Sequence, residues 1–454
     1  MKTIGIIGAG FSGMMTAIHL LKKNDSLKVI LFDPNSKGQG IAYAPQSDAV
    51  LLNVNTAKMS AFTNEPYHFL NWCKEKDPYK NISDELLGQS FMPRSLYGSY
   101  LRDLYDTNLE NNSRFMHVHE NVLALELKGN LQLLKTNSQQ ISVDKTVLAT
   151  GNALPGNHVV PKGLISDKRY HQNPWNIDFS KIPTSKPLVI IGNGLSMVDT
   201  VMELRNRKFD QHIYAVSPNG FNILPHRQFN FNYDGPLKNN PDQYTLGELL
   251  RLFNTELNKL KTFGISAEPL VDALRPFTQS IWKKMTSEEK KTFMKKLRHL
   301  WGQARHRLPF VSYDFIQKEQ ISEKLSIIAG KLTDFQSDKN ELTVTIHHRK
   351  NKKTSTVNCS AVINCTGPET NYRKIEGNLI GHLISDGILC QDSLFLGIEA
   401  DDQFRALDSD SNTQNIYALG PLLKGKLWES TAVNELRSQA ERLAEIISRD
   451  IEVA

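Results

Sequence analysis

Apolar positions along the chain follow two periods, and the order of the periods repeats. Residues 4–7 (IGII) are apolar on both faces, which predicts a short buried strand. Residues 12–23 carry Met14, Met15, Ile18 and Leu21 at helical spacing. Residues 28–33 (KVILFD) predict a second strand ending in an acid. Strand, glycine turn, helix and strand in that order predict a right-handed βαβ unit in a parallel sheet. Residues 38–110 mix aromatics with Gly and Pro and predict a helix-and-loop insertion. Candidate strands follow near 116–127, 131–135 and 141–149, the last running into Ala149-Thr150-Gly151.

The opening pattern returns at 188–194 (LVIIGNG), with a helix expected over 195–207 and a strand over 212–217. Between the two copies, residues 152–186 carry Pro155, Pro161, Pro174 and Pro183 and read as a crossing segment. Residues 245–305 are strongly helical in pattern. Candidate strands near 325–334, 341–348 and 355–364 then end in Cys365-Thr366-Gly367. The chain therefore holds a divergent duplication, its copies beginning at residues 4 and 188. A strand at 415–419 and a helix from about 430 to 448 close the chain.

The chemistry sits in the turns. In Gly8-Ala9-Gly10-Phe11-Ser12-Gly13 the first glycine permits the tight turn. The second lets a pyrophosphate approach the backbone, and the third lets helix and strand pack closely. The helix N-terminus then offers free N–H groups to phosphate. Asp33, at the end of the next strand, is placed to hold ribose hydroxyls. A tight turn with no ligand is the alternative reading. The second copy reads Gly192-Asn193-Gly194-Leu195-Ser196-Met197, so Met197 replaces the third glycine. Gly192, Gly194 and Ser196 remain candidates for a second dinucleotide. No acid or arginine stands directly after its second strand. His226-Arg227 and Arg305-His306-Arg307 are candidate cations for a 2′-phosphate, against the reading of a solvated basic surface. Two such sites suggest one resident cofactor and one that comes and goes, with a hydride passing between them.

These motifs predict an α/β fold of two Rossmann-like dinucleotide-binding domains with β-meanders and a helical insertion. Residues 1–160 and 365–454 form the first domain. Residues 185–364 form an inserted second domain, with a helical excursion over about 235–320. A length of 454 residues is enough for about three domains' worth of chain. Hydrophobic residues at 40% and charged residues at 22% exclude a disordered, collagen-like or simple coiled-coil chain. The net charge of +6 is mild and suits an anionic cofactor. No zinc-finger, helix-turn-helix or aromatic RNA-binding motif points to nucleic acid. Cys73, Cys359, Cys365 and Cys390 form no CxxC pair and no zinc spacing, so neither a redox-active disulfide nor a metal is expected. Sparse thiols fit a reducing compartment, and the expected location is cytoplasmic. The N-terminal apolar run, broken by Gly8, Gly10 and Gly13, is not expected to be a signal peptide, and no integral membrane segment is expected.

The layout resembles the two-dinucleotide-binding-domain flavoproteins, which include disulfide reductases and flavin-dependent monooxygenases. Within them it resembles the FAD-NAD(P)-binding proteins. The residues that carry this are GIIGAGFSG (5–13), GIAY (40–43), LLNV (51–54), MSAF (59–62) and the spaced Pro66, Phe69 and Trp72. They continue as GNGLSMVD (192–199), Trp301 with RHRLP (305–309), NCTG (364–367) and ALGPLLKGKLWESTAVNELRSQA (418–440). The resemblance implies that Gly8, Gly10, Phe11, Ser12, Gly13 and Asp33 hold FAD. Thr150, Gly151 and Gly367, where each meander closes, are counted with the cofactor-binding residues. Gly420 and the helix start at 429–433 would cover the flavin ring, with Trp428 beside Glu429, Ser430 and Thr431 as candidate capping residues. A helix N-terminus there would stabilise the negative charge of a reduced flavin. Pro421 stands where the superfamily usually has an aspartate. The 40–72 block would wall the substrate side, with Asn53, Asn55, Met59 and Ser60 as the flavin-side candidates.

The expected activity is an FAD-dependent oxidoreductase reduced by NADPH or NADH. It is monooxygenase-like and acts on a small molecule such as an amine or another soft nucleophile. Two alternatives stand beside it. One is an FAD-dependent dehydrogenase or oxidase that uses no pyridine nucleotide. The other is a flavin-bound redox sensor or scaffold without turnover, with the 245–305 region as its partner surface. Oligomeric state is left open.

Overall fold

The computed structural model describes residues 1–44, 47–227 and 231–452. The first third of the sequence carries β1 (Lys2–Ile7), β2 (Leu27–Phe32), β3 (Phe115–Val118), β4 (Ala124–Lys128), β5 (Leu131–Lys135), β6 (Gln140–Val143) and β7 (Lys145–Leu148). The middle carries β8 (Tyr170–His171), β9 (Leu188–Ile191), β10 (Ile213–Ser217), β11 (Leu325–Ser337), β12 (Leu342–His348), β13 (Thr354–Asn358) and β14 (Ala361–Asn364). The end carries β15 (Arg405–Leu407) and β16 (Thr413–Ala418). The chain divides into two compact units. The first is Met1–Asp48, Val54–Ala153 and Glu369–Ala454; the second is Ala49–Asn53 and Leu154–Pro368.

In the first unit the main sheet runs β15-β16-β7-β1-β2-β3, and β4-β5-β6 form a separate antiparallel meander. β1 lies parallel between β2 and β7, with Ile6 opposite Leu31 and Val147. Both faces of β1 are covered, which is why its sequence is a continuous apolar run. Helix Phe11–Lys23 buries Met14, Met15, Ile18 and Leu21 as its spacing predicts. It packs against helix Val433–Glu452, which buries Val433, Ala440, Leu443, Ala444 and Ile447. The described residues between 47 and 110 are helices joined by loops.

In the second unit one sheet runs β13-β12-β11-β10-β9-β14-β8. Alternate residues of β9 serve opposite faces. Leu188 and Ile190 join Met197, Val198 and Val201 of helix Leu195–Asn206. Val189 and Ile191 join Val216, Leu342, Val344 and Val362. The helical excursion has its own core, including Leu237, Leu249, Leu260, Leu270 and Leu274. Its helices Leu246–Lys261 and Ser287–Thr292 each open on a capping box, Thr245 with Glu248 and Thr286 with Glu289.

Several strands are shorter than their patterns predict. The expected strand 116–127 is two: β3 pairs with β2 and β4 with β5, and the chain turns between them. The expected strands 141–149 and 355–364 each break where the chain leaves its meander for the parallel sheet. At the first break the Asp144 N–H donates to the Thr3 carbonyl at 2.8 Å, and the Asp144 carboxylate accepts the Thr3 N–H at 2.8 Å. At the second, the Ser360 N–H donates to the Pro187 carbonyl at 2.8 Å. The segment expected as a crossing over 152–186 supplies β8, which pairs with β14. Among the described residues, no helix is long and apolar enough to cross a membrane, and no cluster of His, Cys, Asp or Glu could hold a metal ion.

Candidate functional site

Each unit carries the same turn at the same place in its sheet. Gly8 has φ +104° and Gly192 φ +102°, values an L side chain resists. A Cβ on Gly8 would strike the carbonyl of Ala149, and one on Gly192 would strike the carbonyl of Cys365. The Gly8 N–H donates to Phe32 O at 2.8 Å and the Gly192 N–H to Val216 O at 2.8 Å. The neighbouring strand closes on the turn in the same way, Ala149 N–H to Ile7 O at 2.9 Å and Cys365 N–H to Ile191 O at 2.7 Å. One turn into each helix a threonine hydroxyl bonds back, Thr16 to Ser12 O at 2.8 Å and Thr200 to Ser196 O at 2.7 Å. Gly151 follows β7 and Gly367 follows β14, each with positive φ and open space where a Cβ would be.

Both helices begin without a side-chain cap: Gly10 and Gly194 stand at the N-cap positions. The first-turn N–H groups are therefore left for a ligand, which is what an anion cradle requires. The copies differ in how their third position packs. A Cβ on Gly13 would land on the Gly8 carbonyl oxygen, far inside contact distance. In the second copy Met197 takes that place, its N–H bonded to Gly194 O at 3.0 Å and its side chain in the helix-side core.

Asp33 is more committed than the sequence suggests. Its carboxylate accepts N–H bonds from Ala9 at 3.0 Å, Asn35 at 3.0 Å and Ser36 at 2.8 Å. It therefore ties the glycine turn to the loop after β2, and one oxygen retains capacity for a further donor. Ser36, which sequence reasoning missed, donates to Ala9 O at 2.8 Å and accepts from the Gly40 N–H at 2.7 Å. Gly40 backs directly onto Gly10, and a Cβ on Gly10 would stand 3.5 Å from the Gly40 Cα. The glycines of GQGIAY carried that signal.

At the other end of the first unit Gly420 has φ +66°, and its N–H donates to the Gln439 Oε1 at 3.2 Å. Ser12 and Ser430 flank it. The expected caps are not caps. The helix starts at Val433, so Glu429, Ser430 and Thr431 lie upstream of its first turn. Trp428 is buried, with the Lys424 ammonium 5.4 Å from its ring centre. Ser430 is fully buried and its hydroxyl has no partner among the described residues. The same holds for Gln439 Nε2, Asn434 Oδ1, Arg437 Nε, Tyr97 OH and Asn55 Oδ1. Buried polar atoms are normally paired. Of these, Ser430 and Gln439 stand beside Gly420, and their free groups are ones that a polar edge of FAD could pair with there.

The other flavin-side candidates divide. Met59 is core. The Ser60 hydroxyl is consumed locally: its one proton goes to Glu65 O at 2.6 Å, with Phe62 O at 3.1 Å, its oxygen accepts the Phe62 N–H at 3.1 Å, and the Ser60 carbonyl accepts from Arg437 at 2.9 Å. Asn53 falls in the second unit, where its carbonyl lies 2.9 Å from His226 Nε2. Of the cationic candidates, Arg307 is buried and committed. It pairs with both Asp272 oxygens at 2.8 and 3.1 Å and bonds the carbonyls of Ala304 and Glu268. That removes it as a phosphate ligand.

The thiols form no pair. Burial pushes Cys73, Cys359 and Cys365 up to about 12. Cys365, beneath the second cradle, is packed in the helix-side core with Thr200 Oγ1 3.5 Å from its sulfur.

Residues 5–153 match the model of the FAD-NAD(P)-binding family. A search of solved structures aligns the whole chain with flavoenzymes. The ornithine N-hydroxylase of Kutzneria sp. 744 matches with TM-score 0.68 and 14% identity over 99% of both chains. L-lysine 6-monooxygenase from Pseudomonas syringae matches with TM-score 0.68 and 12% identity over 99% of both chains. The fold is that of the two-dinucleotide-binding flavoproteins. Bacillithiol disulfide reductase from Staphylococcus aureus shares this flavoprotein fold at TM-score 0.54 and 12% identity, again over 99% of both chains. Among curated sequences, uncharacterized protein YdhS of Escherichia coli (strain K12) is 27% identical over 218 residues. That match covers 44% of this chain and 39% of the relative, so the chain aligns with well under half of that protein's length. The flavoprotein fold and the cofactor class, FAD with NAD(P), agree with the expectations from the sequence.

Proposed function

We propose that this flavoprotein is an FAD-dependent oxidoreductase reduced by NAD(P)H, acting as a monooxygenase on a small molecule with an amine or another soft nucleophile. The observation that carries the reading is the duplicated cradle. The pairs Gly8 with Ala149 and Gly192 with Cys365 repeat one phosphate-binding geometry in two units. When bound, FAD would accept a hydride and deliver electrons to dioxygen, chemistry the protein itself lacks. The chain's own part is to seat the pyrophosphate on the helix that begins at Phe11 and to meet the flavin edge with Ser430, Gln439 and Arg437. In the second unit the helix that begins at Leu195 would seat the nicotinamide nucleotide.

Disulfide reduction is disfavoured. It needs a paired, reactive thiol, and burial holds Cys73, Cys359 and Cys365 in the unreactive protonated form. The higher TM-scores to hydroxylases than to the disulfide reductase support the same choice, as a likeness of fold. Two assays test the reading. Alkylation of the native protein with iodoacetamide at pH 8 should leave NADPH oxidation unchanged. A panel of primary amines incubated with NADPH under isotopically heavy dioxygen should yield one product carrying a single heavy oxygen atom. Loss of turnover on alkylation, or NADPH oxidation that never places oxygen in any amine or thioether, would count against a monooxygenase.

A further inference from the structure

We infer that the second cradle is built for NADPH and that Arg349 is the residue that recognises its 2′-phosphate; this rests on the reading above that the cradle takes a nicotinamide nucleotide. In a βαβ nucleotide site the adenosine ribose lies at the end of the second strand. An acid there selects the free 2′-hydroxyl, and a cation selects the phosphate. Here that strand is β10, and it ends in Ser217-Pro218-Asn219-Gly220, which carries no charge. The cation arrives from far along the chain. Arg349 lies in the turn between β12 and β13, and its Nη1 donates to the Pro218 carbonyl at 3.2 Å and to Asn219 Oδ1.

The juxtaposition is built in at Ala329 on β11. Gly220, with φ +61°, lies so close to it that a Cβ would stand 2.8 Å from the Ala329 nitrogen. The Arg349 N–H bonds the carbonyl of the same Ala329 at 2.8 Å. One residue thus holds both the β10 turn and the Arg349 turn in place. Both side-chain bonds of Arg349 are made by Nη1. No hydrogen bond among the described residues uses its Nε or Nη2, the edge that binds phosphate in bidentate fashion, and the residue is exposed. No carboxylate among the described residues pairs with it. The end of β10 and its turn carry two further donors. The Ser217 hydroxyl accepts the Gly220 N–H at 3.0 Å and keeps its own proton to donate, and Asn219 keeps its amide Nδ2. Lys350, Lys352 and Lys353 add positive charge to the same turn.

The test is calorimetric titration of NADP+, NAD+, 2′-phospho-AMP and AMP into the FAD-loaded protein, its Arg349→Ala and Asn219→Asp variants, and a Gly194→Val control. The wild type should bind each 2′-phosphorylated ligand about tenfold or more tighter than its partner. Arg349→Ala should lose about ten- to a hundredfold for NADP+ and 2′-phospho-AMP and stay within about twofold for NAD+ and AMP. Asn219→Asp should shift preference toward NAD+ by repelling the phosphate. Equal NADP+ affinity in wild type and Arg349→Ala, with the Gly194→Val control weakened, overturns the role of Arg349 and leaves the two-cradle reading standing. Binding of neither dinucleotide by the wild type, or binding that Gly194→Val does not touch, overturns both.

Discussion

Replacing Gly194 with valine is expected to leave the protein folded and charged with FAD while weakening its hold on a nicotinamide nucleotide by about tenfold or more. The reason is the emptiness around Gly194. Among the described residues nothing beyond its chain neighbours lies within 4 Å of where its Cβ would be, and its backbone is extended rather than left-handed. A side chain there costs the fold nothing by contact and strain. It projects into the space over the uncapped helix N-terminus that phosphate oxygens must enter. A calorimetric titration of NADP+ and a thermal melt on the same sample check both halves. A variant that melts early, or one that binds NADP+ as the parent does, contradicts the assignment.

Gly13→Ala should have the opposite signature. Its Cβ would be driven into the carbonyl oxygen of Gly8, an atom of the turn itself. Relief requires moving helix Phe11–Lys23 away from β1, and that helix also packs against helix Val433–Glu452. The expected cost is about 3 kcal/mol or more, the upper range for overpacking a well-filled site. FAD should be lost with it, because the displaced helix carries the phosphate-facing N–H groups. Denaturant unfolding and the flavin-to-protein absorbance ratio measure the two effects. A variant with parental stability and full flavin would show that the third glycine has no packing role. The pair of substitutions separates a glycine required by the fold from one required by the ligand.

Much of this difference was legible in the residues, and some was not. The βαβ units were readable because a glycine turn, a helical stripe and an apolar run are local signals. The duplication was readable because Gly8 and Gly192 need the same left-handed turn. The breaks at Asp144 and Ser360 were not. They arise where a strand changes partners, a choice made by Thr3 and Pro187 far away in sequence. Asp33 was found, but its three backbone donors depend on how the loop at 33–40 folds back over Ala9. Ser60 looked available because its residue type suits a site, yet its hydroxyl is spent on its own loop. Arg307 stood in a basic run that resembled a phosphate site and proved to be a buried ion pair. Arg349 was invisible, since it reaches Asn219 only through the pairing of β10, β11 and β12.

The central claim is that one cradle holds FAD and the other brings the nucleotide that reduces it. Its most direct test is the visible spectrum of the purified protein without oxygen, before and after NADPH, followed by admission of air. A bound-flavin band should bleach on NADPH and return with air. A folded protein that neither carries nor takes up FAD would contradict the first cradle. A flavin band that stays oxidised under both NADPH and NADH, with and without an amine substrate, would contradict the second.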